Sequence, residues 1–402
     1  MTGTVNDFST SSVTIEIATS GDNWNILSNG MVQTASGPAI RQTQASTGSA
    51  IDIAGTVAAY GELETGVYLS GFDWSLNIAR TGVLSGFNGL YVDGGEFLKS
   101  TSHITNAGKI TAGDGAGVTL ATSYIVTLTN SGRISGLTGL ELDSGLNYVT
   151  NTRTGVIAGS DVAIMSSPLG ADYLFDFTNK GLVKSAHTAF LGSAADEHLV
   201  NEGRIVGDIR LGAGNDTVDT SARGADIDGR ILGGLGDDLL SVHSAATRLT
   251  EKAGQGNDSI VSTVSYVLSA NVENLRLLGT RDMSGTGNGL SNQLLGGDGN
   301  DTLKGLGGAD FLSGGDGDDR LIGGAGKDIF EFYTGKGRDR IVDFTNGVDR
   351  IDLHDWTGVD SLAAVKAHMT VSGNDLVIRM GADSLTIEHT ARAEIDLSDF
   401  IF

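Results

Sequence analysis

The sequence predicts an all-β solenoid: a right-handed parallel β-helix that continues into a glycine-rich β-roll with a small C-terminal cap. Three observations predict it. Glycine supplies 60 of the 402 residues and proline only 2. That load of tight turns suits neither a helical bundle nor a doubly wound fold. A mark close to Asn-x-Gly-x-hydrophobic recurs about every 25 residues through the N-terminal half. A nine-residue unit then repeats four times from Gly296.

The first period is carried by Asn106-Ala107-Gly108, Asn130-Ser131-Gly132, Asn179-Lys180-Gly181 and Asn201-Glu202-Gly203, each followed by an apolar residue two positions on. Looser marks centre on Gly30, Gly55, Gly82, Gly155 and Gly229, and successive marks lie 22 to 27 residues apart. Between them sit short alternating segments such as Gly89-Leu90-Tyr91-Val92 and Gly117-Val118-Thr119-Leu120. Each unit therefore holds two or three short strands separated by turns. So small a unit cannot bury its apolar face alone, but stacked neighbours can. The leucine-rich-repeat phase, which has a similar period, is absent. Asn106, Asn130, Asn179 and Asn201 are expected to stack as an amide ladder; an exposed array for binding ice or sugar is the alternative.

The expected organisation is an N-terminal cap over 1–29, in which Ile15, Ile17, Trp24 and Ile26 cover the first rung. The β-helix follows over 30–210, then a second repeat region over 211–332 and a C-terminal cap over 333–402. If the N-terminal cap is incomplete, head-to-tail assembly follows.

Charge separates these regions. Asp plus Glu number 49 and Lys plus Arg 26, a net charge of −23. Residues 211–402 hold 30 of the acids and 16 of the bases, with many acids in Gly-Asx clusters. Such a surface argues against nucleic acid as a partner and for divalent cations. The chain has no cysteine, which excludes disulfides, thiolate metal sites and cysteine nucleophiles. No apolar run approaches the length of a membrane span. Met1 to Thr10 lacks the basic start and apolar stretch of a signal peptide.

The second period reads Gly-Gly-Asp-Gly-Asn-Asp-Thr-Leu-Lys from Gly296, with further units from Gly305, Gly314 and Gly323. The sixth position is Asp301, Asp310, Asp319 and Asp328; the eighth is Leu303, Leu312, Leu321 and Phe330. The unit from Gly287 is degenerate, with Asn292 in place of Asp. Single copies upstream carry Asp216, Asp238 and Asp258, 22 and 20 residues apart, and are expected to stack on one edge of the solenoid.

This pattern resembles the hemolysin-type calcium-binding repeat of RTX proteins, the nonapeptide already known as a calcium-binding β-helix repeat. The resemblance implies a calcium-bound β-roll in which two nonapeptides make a turn and loops 18 residues apart flank one ion. Asp301 and Asp319 then share one edge, and Asp310 and Asp328 the other. Carbonyl oxygens come from the loops, at Gly297, Asp298, Gly299, Gly308, Gly315, Asp316 and Gly317. Several Ca2+ ions are implied. The chemistry agrees: Ca2+ takes six to eight oxygens, glycine lets the loop turn its carbonyls inward, and Asp adds a short carboxylate. Extra carboxylates at Asp298, Asp316 and Asp318 have solvated charge as their plain alternative. Removing calcium leaves repelling carboxylates in a glycine-rich chain, so folding and metal binding are expected to be coupled.

After the roll, Asp328–Phe332, Arg340–Phe344 and Asp349–Leu353 resemble the cap that follows the β-roll in serralysin-type proteins. A short helix is expected over Asp360–Met369, and strands near 375–380, 384–389 and 395–401. The chain ends Asp399-Phe400-Ile401-Phe402, an acidic residue and three hydrophobics, which resembles the C-terminus of proteins exported by type I secretion. The type I secretion machinery is thus an expected partner and the exterior or cell surface the expected location. Loss of the last few residues is expected to stop export and spare the fold.

Catalytic motifs are missing. None of the seven histidines begins His-Glu-x-x-His, and there is no Gly-x-Ser-x-Gly elbow. His198 and the His354-Asp355 pair read as surface residues. A β-helix with RTX repeats also resembles alginate epimerases, but Tyr60-Gly61-Glu62-Leu63 departs from their Tyr-Gly-x-Asp-Pro-His after two residues, and the prolines, Pro38 and Pro168, lack that context. Arg133, Arg153 and Arg204 lie near repeat turns, where a stripe could meet an acidic glycan. The resulting expectation is a calcium-binding extracellular protein of surface layer, matrix or adhesin type that self-assembles or binds a cell-surface glycan. The alternative is a polysaccharide-acting lyase or epimerase.

Overall fold

Short strands stacked in parallel at one-turn intervals make up most of the computed structural model, which is 55% strand and 3% helix. The structure describes residues 2–5, 15–17, 23–42, 48–61, 63–71, 73–94, 101–122, 125–144, 146–167, 175–392 and 395–402. Glu62, Pro168 and parts of the expected N-terminal cap (6–14 and 18–22) lie outside them. Two compact units are present, Met1–Leu235 and Gly236–Phe402.

In the N-terminal unit each turn has three faces. One turn runs through Thr101–Asn106, Lys109–Ala112 and Ala116–Thr122. In the next, Ile125–Asn130 is followed by a single long strand, Arg133–Ser144, which covers both remaining faces. Pairing is parallel and in register: Ile104 lies over Leu128, Ile110 over Ile134 and Val118 over Leu140. Alternation does the rest, because every second residue of a strand points inward and Ile104, Leu128, Ile110, Ile134, Val118 and Leu140 are all buried. Within the expected cap, Thr2–Val5 pairs with Asn23–Ile26 and Ile15–Ile17 with Ile40–Gln42, so those strands are rungs of the same ladders.

One inward column changes chemistry along its length. Ile26, Ile53 and Ile78 lie over one another, and Ile78 lies next to Asn106. From there the column is amide: Nδ2 of Asn106 donates to Oδ1 of Asn130, Asn130 to Asn151, Asn151 to Asn179 and Asn179 to Asn201, each at 2.8 Å. All five are fully buried. The second Nδ2 hydrogen of Asn106 goes to the carbonyl of Arg133, and its Oδ1 also takes the N–H of Gly108. Buried amides must satisfy several donor and acceptor positions, and the Asn-x-Gly turn does so. The expected ladder is therefore present, with one member more than expected. Asn151 sits four residues before its glycine, Gly155, where the other members sit two before theirs.

The glycine marks form a column of their own. The Gly55 carbonyl accepts from Val83, that of Gly82 from Lys109, that of Gly108 from Arg133 and that of Gly132 from Val156. A Cβ on Gly132 would collide with the Gly108 carbonyl one turn earlier, which is why only glycine fits there.

The C-terminal unit has two strand columns. The first, from Leu239–Val242 to Phe400–Ile401, stacks the buried side chains of Leu240, Ile260, Leu275, Leu294, Leu312, Phe330, Ile351 and Phe400. The second stacks Tyr266, Gly285, Leu303, Leu321, Ile341 and Ile387. It ends when Asp383–Ile387 takes an antiparallel neighbour, Asp375–Met380, which pairs in turn with Met369–Ser372. The expected helix runs over Leu362–His368, with the Ser361 hydroxyl accepting from the Ala364 N–H at 3.3 Å.

The last residues belong to this core. Phe400 is buried, and the buried Asp399 carboxylate accepts the N–H groups of Gly347 and Asp396. Their removal would expose a core position and take the acceptor from two N–H groups, which argues against the expectation that the fold is spared.

Candidate metal centre

The sixth-position aspartates lie at the two edges of the C-terminal roll. Asp301, Asp310, Asp319 and Asp328 are each at most 2% exposed. One carboxylate oxygen of each accepts a backbone N–H from the preceding turn of its own edge: Met283 to Asp301, Asn292 to Asp310, Asp301 to Asp319 and Asp310 to Asp328, at 2.7–2.9 Å. The expected pairing of edges is therefore seen, Asp301 with Asp319 and Asp310 with Asp328. Asp238 and Asp258 stack in the same way, with the Asp238 N–H on Asp258 Oδ1 at 2.9 Å. In the N-terminal unit Asp216 accepts the Glu197 N–H at 2.7 Å.

The second oxygen is the informative one. In Asp301 it accepts the Gly297 N–H. In Asp310, Asp319 and Asp328 it is buried and has no hydrogen-bond partner among the described residues. A buried carboxylate oxygen without a partner is costly unless a cation or a proton completes it. Burial pushes the Asp310 and Asp319 carboxyls up to about 6 and raises those of Asp301 and Asp328. The first glycine of each unit leaves room for that oxygen: a Cβ on Gly305, Gly314 or Gly323 would strike it.

The loops present carbonyl oxygen as well. The Asp316 N–H donates to the Gly297 carbonyl and the Gly299 N–H to the Asp316 carbonyl, with Asp298 and Asp316 bridged in parallel. The carbonyls of Gly299 and Gly308 lie against Gly317 and Gly326 one turn on, and that of Gly297 against Gly315. Gly317 has φ +136°, a conformation closed to residues with a Cβ. At the second position Leu306 stands at φ +81°, where Gly315 and Gly324 hold +99° and +100°.

Asp298 and Asp316 are themselves exposed. Asp316 pairs with Lys336, and Asp318 with Arg338 at 2.8 Å. Among the described residues no three His, Cys, Asp or Glu side chains converge to hold a metal by themselves. A cation in these loops would therefore take backbone carbonyls together with sixth-position carboxylates. That all-oxygen donor set, with charge left over in unpartnered carboxylates, fits the hard ion Ca2+.

Both edges extend beyond the nonapeptides. Asp339 Oδ1 accepts the Asp319 N–H and Asp349 Oδ1 the Asp328 N–H, each at 3.0 Å, and a Glu273 oxygen takes the Asp258 N–H at 2.8 Å. Sequence reasoning missed these three and Glu197. The signal was an acid two residues before a buried apolar residue, as in Asp339-Arg340-Ile341, one turn from its partner acid at steps of 15, 19, 20 or 21. Past the last loop, Asp343 accepts the N–H groups of Gly323 and Gly324, and Asp383 those of Gly335 and Gly337.

The histidines singled out lie apart. His354 Nε2 is 3.3 Å from Asp355 and His198 Nδ1 3.5 Å from Asp176, all partly exposed. Arg204 pairs with Asp226 and Asp228.

Edge columns of buried aspartate on a glycine-turned β-solenoid define a calcium-binding repeat protein. The RTX calcium-binding nonapeptide repeat matches residues 286–330 in four copies, so the chain carries RTX repeats on a parallel β-solenoid. It is 35% identical over 191 residues to endo-1,3-1,4-beta-glycanase ExsH of Rhizobium meliloti, and 35% over 190 residues to endo-1,3-1,4-beta-glycanase EglC of the same organism. Each match takes in 47% of this chain and 37% of the relative, so the chain spans little more than a third of either. Among solved structures, extracellular lipase LipA from Serratia marcescens is similar over 56% of this chain and 40% of its own, at 17% identity and a TM-score of 0.28. No helix among the described residues is long and apolar enough to cross a membrane.

Proposed function

We propose that the protein is a calcium-dependent extracellular protein with a structural or adhesive role, of surface layer, matrix or adhesin type. In this reading the chain is exported by a type I system and folds on meeting Ca2+ outside. Its ligands are the sixth-position aspartates, Asp301, Asp310, Asp319 and Asp328 with Asp216, Asp238 and Asp258, and the loop carbonyls at Gly297, Asp298, Gly299, Gly308, Gly315, Asp316 and Gly317. The observation that carries it is the set of buried carboxylate oxygens of Asp310, Asp319 and Asp328 with no hydrogen-bond partner among the described residues. A chain of net charge −23 gains most from several divalent ions where its acids are closest. The flat solenoid faces then meet further copies or a cell-surface glycan. Far-UV circular dichroism and electron microscopy with and without Ca2+ test it: strand signal and ordered assemblies should appear with calcium. An unchanged spectrum on adding calcium to chelated protein would refute the calcium-coupled fold.

A polysaccharide-acting enzyme is the second reading, favoured by one cleft. An open concavity of about 540 Å3 in the N-terminal unit is lined by His187, Asp208, Arg210, Asp228 and Arg230 among others. Arg230 donates to Asp208 at 2.6 Å and holds its carboxyl below the usual range. The names of the relatives make a 1,3-1,4-β-linked glycan the first substrate to try, with alginate and pectin beside it. Shortened or unsaturated products, lost in Asp208→Asn, would establish this reading in place of the first.

A further inference from the structure

The N-terminal unit contains a loop that no repeat pattern marks and that has the build of the calcium loops. Gly192-Ser193-Ala194-Ala195-Asp196-Glu197 lies one turn before Gly212-Ala213-Gly214-Asn215-Asp216. The two loops contact each other position by position as the loops of Asp301 and Asp319 do. The Glu197 N–H donates to Asp216 Oδ1 at 2.7 Å, as the Asp301 N–H donates to Asp319 Oδ1. The Asn215 N–H donates to Asp196 Oδ1, as the Asp318 N–H donates to Asn300 Oδ1. The Ala213 N–H reaches the Ser193 carbonyl, as the Asp316 N–H reaches that of Gly297. Gly212 and Gly214 have φ +109° and +121° and lie against the carbonyls of Ser193 and Ala195. A Cβ on Gly192 would come 2.9 Å from Glu197 Oε2, as one on Gly296 would from Asp301 Oδ2.

The loop departs from the nonapeptide at three positions. Ser193 replaces the second glycine, Ala195 replaces the glycine of the fourth position, and glutamate replaces the aspartate of the sixth. Leu199 at the eighth position remains and is fully buried.

An independent observation points to a ligand. Glu197 is 1% exposed. Its Oε1 takes the N–H and hydroxyl of Ser193 at 2.9 and 2.7 Å. Its Oε2 is buried with no hydrogen-bond partner among the described residues and lies near Ser166 and Asp216. Two buried carboxyl groups that face each other need either a shared proton or a cation between them. The carbonyl-presenting loops decide for the cation, because a proton needs no carbonyls around it.

We infer that the loops Gly192–Glu197 and Gly212–Asp216 hold a Ca2+ ion in the β-helical unit, with the Glu197 carboxylate as a ligand. This rests on the reading of the nonapeptide loops as calcium sites and extends it to a loop with no nonapeptide sequence. The test uses the full chain at saturating Ca2+, counting bound ions by elemental analysis after dialysis. Glu197→Gln should carry one ion fewer than the wild type, and Asp319→Asn should also lose calcium. In the wild type, Ca2+ should slow amide hydrogen exchange in 193–197 and 212–216, a readout that does not depend on a variant folding. An unchanged ion count in Glu197→Gln, or unchanged exchange in those loops, overturns the inference and leaves the nonapeptide reading standing. A wild-type chain that binds no calcium overturns both.

Discussion

The backbone N–H of Asp301 donates to Oδ1 of Asp319 at 2.7 Å, so a side chain of one turn closes the loop of the turn before it. The carboxylate has two tasks. One oxygen holds the neighbouring loop in place, and the other faces the position of the ion. Substitutions can separate them. Asp319→Asn keeps a carbonyl oxygen for the Asp301 N–H and removes the charge. It should raise the Ca2+ concentration for half-folding at least about tenfold, equivalent to about 1.4 kcal/mol, with a near-native spectrum at saturation. Asp319→Ala also orphans a buried N–H and should cost about 1–3 kcal/mol more. Calcium titrations followed by circular dichroism check both.

The pH dependence should reverse when calcium is added. Burial pushes the carboxyls of Asp258, Asp310 and Asp319 up to about 6 in the metal-free fold, against about 4 in an unfolded chain. Between those values the folded chain binds more protons than the unfolded one, so its stability falls as pH rises. The metal-free fold should therefore be most stable at or below about pH 4 and weaken through about 6. With Ca2+ the carboxylates must be ionised to bind, so stability should be lost as pH falls through the same range. Strand signal in chelator and urea midpoints in calcium, each compared at pH 4.5 and 7.5, would show opposite trends; parallel trends would contradict the assignment.

Asn151 lies in the middle of the amide ladder, bonded to Asn130 and Asn179 at 2.8 Å each. Asn151→Ala leaves an Nδ2 hydrogen of Asn130 without its acceptor and takes one of two donors from Asn179 Oδ1, which keeps the Gly181 N–H. The expected loss is about 2–5 kcal/mol, read as a lower unfolding midpoint of the N-terminal unit. An effect under about 0.5 kcal/mol, the range of ordinary surface changes, would show that the ladder contributes little.

Phe400 ends the apolar stack that begins at Leu240, with Ile351 as its neighbour. Phe400→Ala should cost about 3–5 kcal/mol, measured by denaturant unfolding in saturating calcium. If the chain is exported as proposed, a loss of export on trimming the final residues is interpretable only with a stability control beside it.

Leu306 has φ +81° and is 52% exposed. Leu306→Gly removes a conformation that costs an L-residue about 1–2 kcal/mol and gives up little buried surface. A gain of about 1 kcal/mol in the denaturation midpoint energy is expected.

Much of this is legible in the sequence. The nine-residue phase placed Asp301, Asp310, Asp319 and Asp328 on two edges because each glycine-rich unit turns the chain through half a roll. The acids outside that phase were not legible. Glu197 sits in a loop that lacks the fourth-position glycine, and Asp339 and Asp349 follow loops longer by two or three residues, so a fixed period passes over them. Their side chains reach the same place because position is set by strand register, and register tolerates longer turns. Asn151 was missed for the same reason, since Thr152 and Arg153 widen its turn while Asn151 stays paired with Asn130 and Asn179.

The direction of the carboxylate bonds gives the roll a sense. Asp301 is completed by Asp319, Asp319 by Asp339, Asp310 by Asp328 and Asp328 by Asp349. Each loop is closed by a residue that follows it in the chain. The last loops are closed by Asp343 and Asp383, which need no successor. Losing turns from the C-terminal side therefore strips the closing carboxylate from the loop that remains, whereas losing them from the N-terminal side leaves every remaining clasp in place.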